Sequence, residues 1–272
     1  MLDGRDLLLI KDAKMILTAD YHTHTPYSHG KNTVAENAEQ AVKLGLKAIA
    51  ISDHGFLHLA HGMKRKDVAA FEADCKAASE RFGIPVLRGM EANVGGVHGR
   101  CDLTEKDYEH FDVYLCGYHL TTVYNRFGDV FINGLGNILH NKCKLLATKT
   151  LISRNTKAYI QTLKNHPIDI LTHLAFQCEC DTLEVAKCAA DCGTYLELNS
   201  KKQHLSDEQL MEIVDKTSAR FVIDSDAHSA DRVGEISLVE KQLARLHFPI
   251  DRIDNVDGRF PDFRFAAYKQ RM

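Results

Sequence analysis

Several things are missing from this 272-residue sequence, and each absence removes a class of function. There is no surplus of positive charge. Lys and Arg number 34 against 37 Asp and Glu, a formal charge of -3, so nucleic-acid binding by phosphate neutralisation has no global basis. No apolar run approaches the roughly 20 residues of a membrane span, because charges break the longest candidates. The opening MLDGRDLLLIKDAK carries Asp and Lys through its apolar part and does not read as an export signal. The eight cysteines include no CxxC pair; Cys178 and Cys180 are separated by one residue, and Cys188 and Cys192 share one face of an expected helix. They read as reduced, mostly buried thiols of a cytoplasmic protein, not as a zinc ribbon or redox pair. No Gly/Ser-rich or Pro-rich linker occurs, so residues 1–272 read as a single domain.

What is present is a repeat: a short apolar run, a polar loop, an amphipathic helix, then another apolar run. The runs are MILTADY (15–21), KAIAIS (47–52), PVLRGME (85–91), DVYLCGY (112–118), IDILTH (168–173), TYLELN (194–199) and RFVIDS (220–225). These seven strand candidates are too hydrophobic for half-exposed strands and suit a buried parallel sheet. Thr33 with Glu36 reads as a capping box opening a helix over 34–44, stopped by Gly45. DVAAFEADCKAASERFG ends at Gly83 and LEVAKCAADCG at Gly193; Ser206 with Gln209 forms a second capping box. EISLVEKQLARLH reads as the last helix before Pro249. Strand alternating with helix gives right-handed βαβ units, which fit either a closed barrel or a doubly wound sheet. Residues 120–155 break the rhythm with aromatics, glycines and a Lys-rich stretch. They read as an insertion of one or two helices near the active site, acting as a lid or a dimer contact.

The polar residues fall at one place in each repeat. DYHTHTPYSHG (20–30) puts His22, His24 and His29 together at the end of the first strand. Alternate strand residues face the same side, so His-x-His aims two imidazoles at one point, as a metal ion requires. Asp53 and His54 (SDH) follow strand two, Glu91 (GME) ends strand three, His119 (GYH) follows strand four, His173 (LTH) ends strand five, and Asp226 and His228 (DSDAH) follow strand seven. In a parallel barrel the C-terminal strand ends form one active-site mouth, where such residues converge. The histidines at 58, 61, 98, 110, 140, 166, 204 and 247 lack this placement and read as surface residues.

Together these motifs resemble the PHP (polymerase and histidinol phosphatase) superfamily over essentially the whole chain, most of all its small stand-alone bacterial histidinol-phosphatase-like hydrolases. The resemblance runs through HTH at 22–24, SDH at 52–54, the glutamate of GME at 89–91, His119, His173 and DAH at 226–228. It implies an α/β fold, a distorted seven-stranded (β/α) TIM-like barrel, with two or three divalent ions at the strand C-termini. The nine ligands that recur in trinuclear members match His22, His24, His29, His54, Glu91, His119, His173, Asp226 and His228. The resemblance assigns His22, His24, Glu91 and Asp226 to one ion, Glu91, His119 and His173 to a second, and His29, His54 and His228 to a third. Glu91 is expected to bridge, being read as the only carboxylate at the end of a middle strand. The insertion at about 120–155 departs from the family pattern and leaves substrate size and access open.

Mixed imidazole and carboxylate donors suit Zn first, then Mn or Fe. Asp53 is expected to orient the His54 imidazole as an acceptor. Glu91, Asp226 and His228 are the expected catalytic residues, and Arg232 or Arg100 the expected phosphate-binding group. The expected reaction is phosphomonoester hydrolysis on a small phosphorylated metabolite, with histidinol phosphate the leading named substrate. No nucleic-acid or membrane partner is expected, and a homo-oligomer is left open. Three rivals remain. An amidohydrolase would need a bridging lysine where GYHL has none. A polymerase-type exonuclease would need a basic channel. A non-catalytic metal-binding protein would not need so open a cluster.

Overall fold

The computed structural model describes residues 15–143 and 147–272; MLDGRDLLLIKDAK and three residues of the 120–155 insertion lie outside them. Seven parallel strands follow one another around the sheet in chain order, which closes the choice in favour of the barrel. They are β1 (Ala19–Thr23), β2 (Ala48–Ile51), β3 (Val86–Asn93), β4 (Val113–Gly117), β5 (Ile170–Leu171), β6 (Tyr195–Asn199) and β7 (Phe221–Asp224). Every expected run overlaps one, although β1 begins later than residue 15 and, like β3, runs two residues past its expected end, and β5 is only a two-residue strand.

Helices α1 (Val34–Lys43) and α2 (Val68–Phe82) bury one face each: Val34, Asn37, Ala38 and Ala41 in the first, Val68, Phe71, Cys75 and Ala78 in the second. The Thr33–Glu36 capping box forms, and Gly83 ends α2 in the left-handed conformation that glycine adopts freely. The insertion holds α3 (Phe127–Asp129), a π turn over Val130–Leu135 and α4 (Gly136–Cys143), and runs into α5 (Lys149–Asn165). Buried Asn133 and Asn137 both donate to Asn155 Oδ1, and Asn141 and Asn155 donate to the carbonyls of Gln177 and Glu179. The insertion is thereby strapped to the loop that follows His173. Helices α6 (Thr182–Cys192), α7 (Asp207–Lys216) and α8 (Ser237–Leu246) complete the ring. α8 is the last helix before Pro249, as expected; beyond it α9 (Arg264–Lys269), too short to show a periodic pattern, buries Phe265 under the barrel. No helix among the described residues is long and apolar enough to cross a membrane.

Barrel closure is uneven. At the C-terminal strand ends, β1 meets the chain after β7 directly: the His24 N–H donates to the Ala227 carbonyl and the Ala227 N–H to that of His22. At the other end β1 and β7 separate, and one fully buried asparagine spans the gap. Asn255 Nδ2 donates to the Ala19 carbonyl (2.9 Å) and the Ile223 carbonyl (2.7 Å), and its Oδ1 accepts the Ile223 N–H (2.9 Å). Its own carbonyl accepts from Thr18. The inner cluster of Ala19, Tyr21, Ala50, Leu115, Ile170 and Val222 fills the barrel, and Phe263 packs edge-on against Tyr21 at 4.9 Å.

Candidate metal centre

Inward-facing residues change character along each strand. Tyr195 of β6 and Val222 of β7 belong to the apolar interior; two residues on, the same side carries Glu197 and Asp224, and two further Asn199 and Asp226. In β1 a register shift between Asp20 and Thr23 turns Tyr21 into the apolar interior and the next residue, His22, toward the mouth. Bulges of this kind re-aim side chains beside functional sites.

Glu91 lies at the centre, 1% exposed. Its Oε2 is 2.7 Å from His54 Nδ1, 3.4 Å from His22 Nε2 and 3.7 Å from His24 Nε2. Its Oε1 is 2.6 Å from His173 Nε2 and 3.3 Å from His119 Nε2. The Nε2 atoms of His22 and His24 are 3.1 Å apart, and Asp226 Oδ1 lies 3.4 Å from the second and 3.8 Å from the first. His228 Nδ1 is 3.3 Å from that same oxygen. Residues from six different strands or strand ends thus meet at one place.

Partners behind the rings orient them. His22 Nδ1 donates to Glu197 Oε1 (2.5 Å), and His119 Nδ1 donates to Asn93 Oδ1 (2.9 Å), while Asn93 Nδ2 donates to the buried Asp102. Each bond turns the Nε2 of its ring toward the cluster. Glu197 also accepts the backbone N–H of His173 at 2.7 Å. His173 (φ 30°) and Asp226 (φ 49°) are both left-handed, a strained state for side-chain-bearing residues and one that concentrates at functional sites. A Cβ on Gly117 would run into the Thr172 hydroxyl and the His173 ring, so only glycine fits there.

The electrostatics follow from burial and crowding. Burial alone would raise Glu91, but His119, His22, His54 and His173 hold it well below the ordinary carboxylate range. Burial opposes a charged His22, yet Glu91, Glu197 and Asp226 carry it well above the ordinary histidine value. His24 goes down, by burial and by its imidazole neighbours; His54 is pushed down to about 3, chiefly by burial.

This donor set fits divalent ions. Among the described residues, buried His24 Nδ1, His54 Nδ1, His173 Nδ1 and Glu91 Oε2 have no hydrogen-bond partner, an arrangement that costs free energy unless something else satisfies them. His54 Nδ1 and Glu91 Oε2 approach to 2.7 Å without hydrogen-bond alignment, so both lone pairs open onto shared space. Spacings of 3.1–3.8 Å among His22, His24 and Asp226 suit donors placed about 2.0–2.2 Å from a common ion. Three groups converge closely enough: His22, His24 and Glu91; His54, Glu91 and His119; His24, His54 and His228. His29 stands at the rim, exposed, its ring 4.8 Å from that of His54 and 4.3 Å from that of His228.

Several expected roles change. Asp53 does not face the His54 ring: it accepts from the Thr25 N–H (2.8 Å), the Thr25 hydroxyl and the Ser28 hydroxyl, and so shapes the turn after His24. Neither expected arginine contacts the cluster. Arg100 donates to the Val123 carbonyl, and Arg232 lies beside the Asp231 and Glu235 carboxylates. The basic group found there is Lys201, with Nζ 3.3 Å from Asp226 Oδ1 and 3.1 Å from His228 Nδ1. A second strand carboxylate, Glu197, lies within β6 and was missed; a charged residue inside the apolar run YLELN was the signal for it. His58 and His204 are corrected from surface readings. His58 is buried, stacked on His54 at 4.5 Å and bonded to the Thr121 hydroxyl, and the His204 ring lies 5.7 Å from that of His173.

Barrel and donor set define a metal-binding (β/α) enzyme scaffold with its site at the strand C-termini. The pattern of the PHP domain matches residues 20–239, and the chain belongs to the PHP domain family. A probable phosphatase of Proteus mirabilis is 30% identical over 253 residues, covering 88% of this chain and 90% of the relative. A probable phosphatase of Caldanaerobacter subterraneus is 27% identical over 252 residues, covering 89% and 88%. Among solved structures, the histidinol phosphate phosphatase of Lactococcus lactis, complexed with zinc, L-histidinol and phosphate, shares the fold with a TM-score of 0.55 at 14% identity, covering 85% of this chain and 94% of that one.

Proposed function

We propose that this metal-dependent phosphoesterase hydrolyses small phosphomonoesters at a centre of two to three ions built around Glu91. The supporting observation is the division of Glu91: one oxygen faces His22, His24 and His54, the other His119 and His173. A carboxylate so divided suits a bridge between two ions, one held with His22, His24 and Asp226, the other with His119 and His173. A third set comprises His29, His54 and His228. His54, close to Glu91 and His228 alike, stands between the second and third sets. Zn is the ion best suited to the donors, with Mn or Fe next. Ions held there supply Lewis acidity toward phosphoryl oxygens and make water a nucleophile near neutral pH.

The chain's own groups do the rest. Asp226, kept well below the ordinary carboxylate range against its burial by His22, His24 and Lys201, holds a carboxylate at the mouth that can accept a hydrogen bond from water and orient it. His228, on the rim beside it, can orient the departing oxygen. The insertion, strapped to the loop after His173, walls one side of the cleft and limits substrate size. The eight free cysteines accord with a cytoplasmic setting.

The test is hydrolysis of p-nitrophenyl phosphate by protein as purified, after chelation, and after return of Zn, Mn or Fe, with metal content by elemental analysis. Activity lost on chelation and restored with about two to three equivalents supports the reading. Bound metal without hydrolysis of any phosphomonoester overturns it.

A further inference from the structure

We propose that Lys201 selects phosphomonoesters whose leaving group carries a second negative charge; this rests on the phosphatase reading above. Lys201 and Lys202 follow β6 on the loop to α7, beside the cluster. The Lys201 side chain is 48% exposed, and its ammonium touches Asp226 Oδ1 (3.3 Å) and both ring nitrogens of His228 (3.1 and 3.4 Å). Lys202 Nζ lies 5.2 Å from the centre of the Phe176 ring, which in turn stands 5.5 Å from His173 and 4.7 Å from His204. One short loop therefore sets two ammonium groups and an aromatic face beside the mouth.

The carboxylates at the cluster do not offset these charges toward a substrate. Glu91 and Glu197 are buried and face histidines, and Asp226 is buried against His22 and His24. Asp226 and His228 also belong to the donor sets described above. When a cation engages them, the Lys201 ammonium loses both acceptors, is repelled by the like charge, and remains at the rim on a flexible stem. It then needs an anion. A lysine is a compact point charge with three rotatable donors, suited to a carboxylate or second phosphate whose position varies with the leaving group. A leaving group bearing an amine would instead be set beside two ammonium groups, a like-charge contact that acts against binding. The substrate class that follows is a phosphorylated acid or a bisphosphate, and not an amino-alcohol phosphate such as histidinol phosphate.

The experiment uses metal-replete protein and two matched non-hydrolysable probes, phosphonopropionate, which ends in a carboxylate, and aminopropylphosphonate, which ends in an amine. Binding is measured by calorimetry for wild type, Lys201→Met and Lys201→Glu, with metal content checked in each. Wild type should prefer the carboxylate probe by on the order of tenfold, about the effect of one charge-assisted hydrogen bond. Lys201→Met should largely remove the preference and Lys201→Glu should reverse it. The corresponding esters, phosphoglycolate and phosphoethanolamine, should show the same ordering in kcat/KM. Equal binding of both probes by wild type, or an equal loss for both in Lys201→Glu, overturns the proposal. Failure of wild type to hydrolyse p-nitrophenyl phosphate would instead count against the phosphatase reading, because the probe preference is measured without turnover.

Discussion

The two ends of the barrel treat buried polar groups in opposite ways. At the N-terminal strand ends backbone groups are paired by buried side chains, although the Tyr114 hydroxyl and His166 Nδ1 keep no partner among the described residues. Asn255 satisfies backbone groups of both β1 and β7, Asp169 accepts the N–H groups of Tyr114 and Phe265, and Arg264 donates to the Cys192 and His166 carbonyls. At the C-terminal ends, His24, His54, His173 and Glu91 each keep a buried atom without a partner. The same strands supply both ends, so the contrast is one of task. The lower end closes a seven-stranded ring against solvent, whereas the upper end reserves its lone pairs for something the chain does not contain. One end should therefore fail as stability and the other as chemistry.

The largest expected effect is at the top. Glu91→Gln keeps the side chain's size but removes the charge shared by two histidine sets. Activity should fall by about 10³-fold or more, beyond the loss of a single electrostatic stabiliser, with at least one equivalent of metal lost on dialysis. Chelated variant and chelated wild type should unfold at similar denaturant concentrations. A variant within tenfold of wild-type activity would show that Glu91 does not link the sets.

Next comes the bottom. Asn255→Leu leaves the Ala19 and Ile223 carbonyls and the Ile223 N–H without their partners. At about 1–3 kcal/mol for each buried group left unpaired, the loss should be about 3 kcal/mol or more. Urea denaturation measures it. Metal stoichiometry and rate of the remaining folded protein should match wild type; a selective loss of metal would mean that the two ends are not independent.

The smallest effect sharpens the contrast through pH. Burial, with help from His119, pushes His58 down to about 4, and burial pushes His204 down to about 3, against an ordinary 6.5. Their unfolded forms take up protons first, so the stability they confer is present above about pH 6.5 and is lost as pH falls toward 4 and 3. Asp169 runs the other way: burial lifts it from 3.8 to about 7, so its contribution is complete below 3.8 and is lost as pH rises through 7. Taking chelated protein from pH 8 to pH 5 should therefore weaken the surroundings of His58 and His204 and relieve those of Asp169. Amide-exchange protection should fall first around His58 and His204 while holding around Tyr114 and Phe265. Uniform loss at both ends would defeat this expectation.

Much of this was legible in the chain. Seven apolar runs became seven strands because burial on both faces demands continuous hydrophobicity, and the caps at Thr33 and Ser206 formed because they act within four residues. His22, His24, His54, Glu91, His119, His173, Asp226 and His228 gather because each sits at the same point of its repeat. α9 was not legible, since a six-residue helix carries too little periodicity to stand out.

What the sequence determined by itself is the class: strand alternating with helix, and metal-ligating residue types recurring where parallel strands end. Those signals are local, carried by spacing and by the chemistry of single side chains. Tertiary structure decided which groups face one another. Asp53 turned from His54 to the Thr25–Ser28 turn, Glu197 took up His22 and His173 across the barrel, and His58 slid beneath His54. Lys201, and not an arginine, reached Asp226. Asn255 joined strands more than 30 and more than 230 residues distant. The physical reason is that a hydrogen bond or ion pair depends on separations of about 3 Å between groups remote in the chain, and only the closed barrel sets those separations.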